Sequence, residues 1–196
     1  MEQEEPEEGF EKPTDVYHLF PQVPAKWVDH YKSGSGPAEV RYAARVAGDY
    51  MGLLVVELPK TTVDEPNGLV GLASQDATVL ADAENPGNSV DPVTVTPVKY
   101  GPLVLKQSVW FPVSAFVQIR TEKGMADAVL ESTSRLPGYS GSAIVLGPFN
   151  ILLDVGAEEW AALTDVIINQ IPALPGVKDS RPLNVSQQWH RDEDSP

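Results

Sequence analysis

Ser140 sits between two glycines in Pro137-Gly138-Tyr139-Ser140-Gly141, and the apolar run Ser142-Ala143-Ile144-Val145 follows at once. This pattern can present a nucleophile, because glycines let the backbone bend sharply and bring its N–H groups close to a developing oxyanion. The same residues are ordinary hairpin material, since Pro, Gly and Ser each favour turns for their own reason, so a turn serine is the competing reading. Metal chemistry finds less support: His18, His30 and His190 are far apart, and no dense His or Asp spacing supplies a ligand set. The chain has no cysteine, which excludes disulfides, thiol nucleophiles and thiolate metal sites. Phosphate-cradling glycine loops are absent too, so no metal and no cofactor is expected. Trp27 and Trp189 lie in polar surroundings, and with Tyr31 they are candidates for docking on a partner, where buried aromatics carry most binding energy.

The elements that would position these residues are mostly strands. The 196-residue chain is 42% hydrophobic with 18 Pro and 15 Gly, which suits one globular core joined by many turns. Short β-type runs recur between turn signals: Glu39–Val46, Asp49–Leu58, Leu69–Ala81, Val93–Thr96, Leu103–Phe111, Ser114–Thr121, Ala126–Thr133, Ser142–Leu146 and Asn150–Val155. That spacing predicts a mainly β domain, an antiparallel sandwich or barrel of jelly-roll type, over residues 37–176. One helix is expected near 157–171, with Trp160, Leu163, Val166, Ile167 and Ile171 mainly on one face and Pro172 ending it. Residues 1–36 read as an acidic N-terminal arm and 177–196 as a polar C-terminal tail. No internal repeat of fixed period is visible.

Charge narrows the partners. The formal net charge is −14, and residues 14–178 keep 18 acids against 11 bases. Such a surface repels phosphate backbones, so direct nucleic-acid binding is disfavoured. No apolar run approaches the roughly 20 residues needed to span a bilayer, and the acidic Met1–Phe10 is unlike a secretory signal. A virion or cytoplasmic location is the expectation.

Two resemblances give this outline a function. Residues 128–145, a strand followed by Pro-Gly-x-Ser-Gly and an apolar strand, resemble the nucleophile region of chymotrypsin-like serine proteases. That resemblance implies Ser140 as nucleophile, the Gly138 and Ser140 N–H groups as oxyanion donors, Asp49 as the triad acid and His30 as the base, in the family's order. It departs from the family in the residues around His30 and in the short stretch ahead of it. The outline of arm, β body and tail resembles jelly-roll virus coat proteins and phage structural proteins over most of residues 38–156. It implies a non-enzymatic virion component that self-associates into an oligomer or lattice, meets other virion proteins, and contacts its neighbours through Trp27, Tyr31 and Trp189. Assembly is the favoured expectation and the protease its alternative.

Overall fold

The computed structural model describes residues 14–34, 40–58, 92–101 and 111–191. The acidic stretch 1–13, the expected strand Leu69–Ala81 and nearly all of Leu103–Phe111 lie outside the described residues. Among the described residues there are eight strands: β1 (Thr14–Phe20), β2 (Val40–Ala47), β3 (Gly52–Leu58), β4 (Val93–Tyr100), β5 (Val113–Thr121), β6 (Tyr139–Leu146), β7 (Ile151–Ala157) and β8 (Val177–His190). They close into one antiparallel barrel in the order β1-β3-β2-β8-β5-β7-β6-β4. The helices are α1 (Trp27–Lys32), α2 (Ala126–Thr133), α3 (Trp160–Asp165) and α4 (Ile171–Ala173), the last two joined by a π turn (Val166–Gln170).

The expected antiparallel barrel is therefore present, but its strand order is not that of a jelly roll. It consists of two β-α-β-β-…-β units, each with the spatial order of a split βαβ motif: β4-β1-β3-β2 and β8-β5-β7-β6. The first three strands of each unit coincide in register at a displacement of 99 residues, and β8 answers β4 at 88. Tyr42 opposite Val55 becomes Gly141 opposite Asp154, and Ala44 opposite Leu53 becomes Ala143 opposite Leu152. Helices α1 and α2 begin at the same displacement, at Trp27 and Ala126. The seams between the units match as well: Ala44 opposite Gln188 corresponds to Ala143 opposite Tyr100. The chain thus carries an internal repeat, contrary to the reading of its sequence.

Strand alternation sorts the core into three clusters. Leu19, Val46, Leu53, Val95, Phe116, Ala143, Leu152 and Leu183 point into the lumen. On the outer face of the second unit, Val117, Ile119, Leu153 and Val155 pack under Leu130, Leu163 and Ile171 of the helices. Because both faces of β7 are covered, its Ile-Leu-Leu run reads as continuously apolar. On the first unit, Val16, Phe20, Leu54 and Val56 pack under Trp27, Val28 and Tyr31.

Several segments differ from expectation. Residues 14–20, read as part of an arm, form β1, because Val16 and Phe20 find a core under α1. Residues 177–190, read as a tail, form the longest strand, because β2 and β5 both offer backbone partners. Ala126–Thr133 is a helix rather than a strand, with Val129, Leu130 and Thr133 buried on one side. Trp27, 1% exposed, is a core anchor: its ring meets Phe20 at 5.4 Å and Tyr31 at 5.5 Å, while Tyr31 stacks on Trp189 at 5.8 Å. The three aromatics proposed for a partner consolidate this chain's own fold, and truncating Trp27 should cost about 3–5 kcal/mol.

Candidate functional site at the polar end of the barrel

The strand ends distant from the β2–β3 and β6–β7 turns gather polar side chains on the lumen face. Strand β1 brings Asp15 and Tyr17, β2 brings Tyr42, β4 brings Tyr100, β7 brings Asp154 and β8 brings Gln188 and His190, by alternation with the apolar lumen residues. The Tyr42 hydroxyl donates to Gln188 Oε1 at 3.1 Å, and the Tyr42 ring meets His190 edge-on at 4.4 Å and Phe116 at 5.7 Å. Arg41 and Glu57 form an ion pair at the rim.

Asp154 is the centre of this arrangement. Its strand neighbours are Phe116 on one side and Gly141 on the other. A Cβ built on Gly141 would have no heavy atom of the described residues within 4 Å, so there is room at the strand position facing Asp154. Asp154 keeps partial solvent contact, yet protein surrounds it, and this burial pushes its pKa up to about 7. It can therefore take or release a proton near neutrality. Burial, followed by the charges of Asp15, Tyr100 and Asp154, keeps the Tyr17 hydroxyl protonated well above its ordinary range; burial and Asp154 do the same for Tyr42. Asp15 is also raised by burial, partly offset by the Arg41 guanidinium. The lumen mouth thus combines one proton-exchanging carboxyl, neutral phenol donors and an aromatic wall.

The residues of the protease alternative are dispersed. His30 is on α1, which packs on β2 and β8, and its ring lies edge-on to Tyr31 at 5.4 Å. Asp49 is in the β2–β3 turn and accepts from Arg181 Nη1 at 2.8 Å. Ser140 is on β6, which lies four strands from β2 in either direction around the barrel. No triad forms. Ser140 is the extra residue of a β-bulge, since Tyr139 pairs with Val155 and Gly141 with Asp154. Gly138 has φ of 71° and receives the Gly156 N–H at 2.9 Å; a Cβ there would overlap the Gly156 carbonyl oxygen, which is why glycine is needed. His18 is buried on the outer face with Nδ1 3.1 Å from Thr94 Oγ1, and burial alone lowers its pKa to about 4. Among the described residues no group of three acid or histidine side chains could hold a metal ion, and no helix is long and apolar enough to cross a membrane.

The sequence reading passed over Asp154, Tyr17 and Tyr42, and weighed His190 only as a metal ligand. One signal was available: Asp154 is the single charge inside Ile151-Leu152-Leu153-Asp154-Val155, and a charge in a strand buried on both faces calls for a reason.

No protein-family model matches this sequence, and no curated protein matches it. Solved structures do. The siroheme decarboxylase NirDL matches 90% of this chain and 72% of its own length, with a TM-score of 0.60 at 9% identity. It is also known in complex with an iron-uroporphyrin III analogue, a structure that matches this chain to the same extent at 8% identity. A protein from Lactobacillus acidophilus NCFM, provisionally named a monooxygenase, matches 92% of this chain and 97% of its own, with a TM-score of 0.50 at 12% identity. These are likenesses of fold. They correct the expectation of a virion coat, decoration or connector subunit: the barrel is one shared with an enzyme and an enzyme-named protein, and the strands once read as lattice arms complete it.

Proposed function

We propose that this protein binds a small organic molecule in the polar end of its barrel lumen and exchanges a proton with it through Asp154. The observation that carries the proposal is the room at Gly141 facing Asp154, a partly exposed carboxyl whose pKa burial pushes up to about 7. Phe116, Leu152, Tyr17 and Tyr42 form the surrounding wall, which suits an aromatic or largely apolar substrate bearing an acidic proton or a carbonyl. Tyr17 holds a hydroxyl proton for hydrogen bonding, the Tyr42 oxygen, whose proton goes to Gln188, can accept, and Asp154 is the general acid–base. The fold shared with a siroheme decarboxylase and with a protein named as a monooxygenase supports a site for an organic substrate over a surface for assembly. The test is carbon NMR of the Asp154 carboxyl, combined with a thermal-shift screen of small aromatic and keto acids. We expect titration near pH 7, at least one compound that shifts Phe116 and Leu152 resonances, and loss of proton exchange with that compound in Asp154→Asn. Ordinary carboxyl titration near pH 4, with no compound reaching the lumen, would defeat the proposal.

A further inference from the structure

At the opposite end of the barrel the geometry points to a second site, one for a short-chain carboxylate, built on Gln118 and Arg120. A recess of about 110 Å³ lies where the β2–β3 turn, the β6–β7 turn and the lumen faces of β5 and β8 meet. Two arginines and two aspartates line it, and their pairing is uneven. Arg181 donates to Asp49 at 2.8 Å and to Asp179 at 3.2 Å, so both acids are engaged by one cation. Arg120 uses its Nε on the Pro148 carbonyl oxygen at 3.2 Å, and among the described residues no acid pairs with it. The recess is thus overall balanced but locally positive at Arg120.

Gln118 supplies the second, independent observation. It is 6% exposed, lines the recess, and its Nε2 has no hydrogen-bond partner. Leaving a buried amide donor unmade costs stability, and natural interiors rarely tolerate it without a bound water, ion or ligand. Gln118 and Arg120 stand two residues apart on one strand, so their side chains leave the same face about 7 Å from each other. A carboxylate between them can accept from the Gln118 amide with one oxygen and from the Arg120 guanidinium with the other. Tyr50 lines the same recess and offers a hydroxyl, while Phe149 and Pro148 give an apolar wall for a tail of two or three carbons. In the first unit the matching pair is Leu19 opposite Val93, where the second has Gln118 opposite Arg181. The barrel can therefore be closed with apolar residues at this level, and the polar pair is not demanded by the fold.

The test follows the side-chain amide of Gln118 by proton–nitrogen NMR in the full-length protein, with propionate, propionamide and inorganic phosphate as probes. We expect saturable shifts with propionate and none with propionamide, which has the shape without the charge. Arg120→Gln should weaken propionate binding about tenfold or more. Gln118→Leu should weaken it as well while raising the melting temperature of the ligand-free protein, a combination that a purely structural glutamine would not give. Absence of a propionate shift at tens of millimolar, or unchanged affinity in Gln118→Leu, would overturn the site. So would a lower melting temperature for that variant, and preferential binding of phosphate would overturn the carboxylate class.

Discussion

The two units of the barrel share a backbone and differ in what they place on it. Where the first has Val55 on the lumen face, the second has Asp154; where the first has Tyr42, the second has Gly141 and the room it leaves. Leu19 is answered by Gln118 at the far end, and on the outer face His18 opposite Thr94 is answered by Val117 opposite Pro182. Scaffold positions have changed less: Ala44 and Ala143, Val46 and Val145, Leu53 and Leu152, Leu54 and Leu153, and Val56 and Val155 are identical pairs. Packing thus holds the repeated framework, while the lumen positions have diverged, with Tyr100 and Gln188 a pair at which both units stay polar.

Making the units alike is the direct way to break this comparison. The largest effect belongs to Asp154. Its pKa is raised in the folded state from 3.8 to about 7, so ionisation opposes folding: the native state is unpenalised below about pH 4 and loses stability as pH rises toward 7. Asp154→Asn should therefore be more stable than the parent by up to about 4 kcal/mol at pH 8, a gain that vanishes near pH 4. Urea unfolding at the two pH values measures it, and an equal difference at both would show that burial of charge is not the cause.

His18 has the opposite sign. Its pKa falls from 6.5 to about 4 on folding, so the native state holds it neutral; its contribution is complete above pH 6.5 and is lost as pH drops toward 4. His18→Val, which copies the second unit, should lose about 1 kcal/mol at pH 8 with the Thr94 bond. By pH 5 it should have recovered about 2 kcal/mol relative to the parent. Parallel stability curves for the two proteins between pH 8 and 5 would refute this. The smallest change is Gln118→Leu, copying Leu19: removal of the unpartnered amide should stabilise by about 1 kcal/mol, read as a higher urea midpoint at an unchanged slope.

Much of the framework was legible in the sequence, and the site was not. β2, β3, β5 and β7 were readable because Val40–Ala47, Gly52–Leu58, Val113–Thr121 and Ile151–Ala157 are dense in apolar and β-branched residues. β8 was not, since Leu183 is its one fully buried apolar side chain and its strand character comes from pairing on both sides. Helix α2 read as a strand because it is only eight residues long and has no side-chain cap. The repeat escaped notice for a related reason: its identical pairs are Ala, Val and Leu, which any strand would use, while the telling lumen positions have diverged. Asp154 was absorbed into an apolar run, and its meaning appears only when Gly141 and Phe116 are seen beside it.

The seam between β2 and β8 has a consequence for the chain as it is made. Tyr42 pairs with His190, so β2 leaves the ribosome long before its second neighbour exists. At about 5–20 residues per second, the interval is on the order of ten seconds. Throughout that time β2 presents an open row of amides and carbonyls to any passing strand. Completion of the last strand, more than any local folding event, is the moment at which the nascent protein ceases to be adhesive.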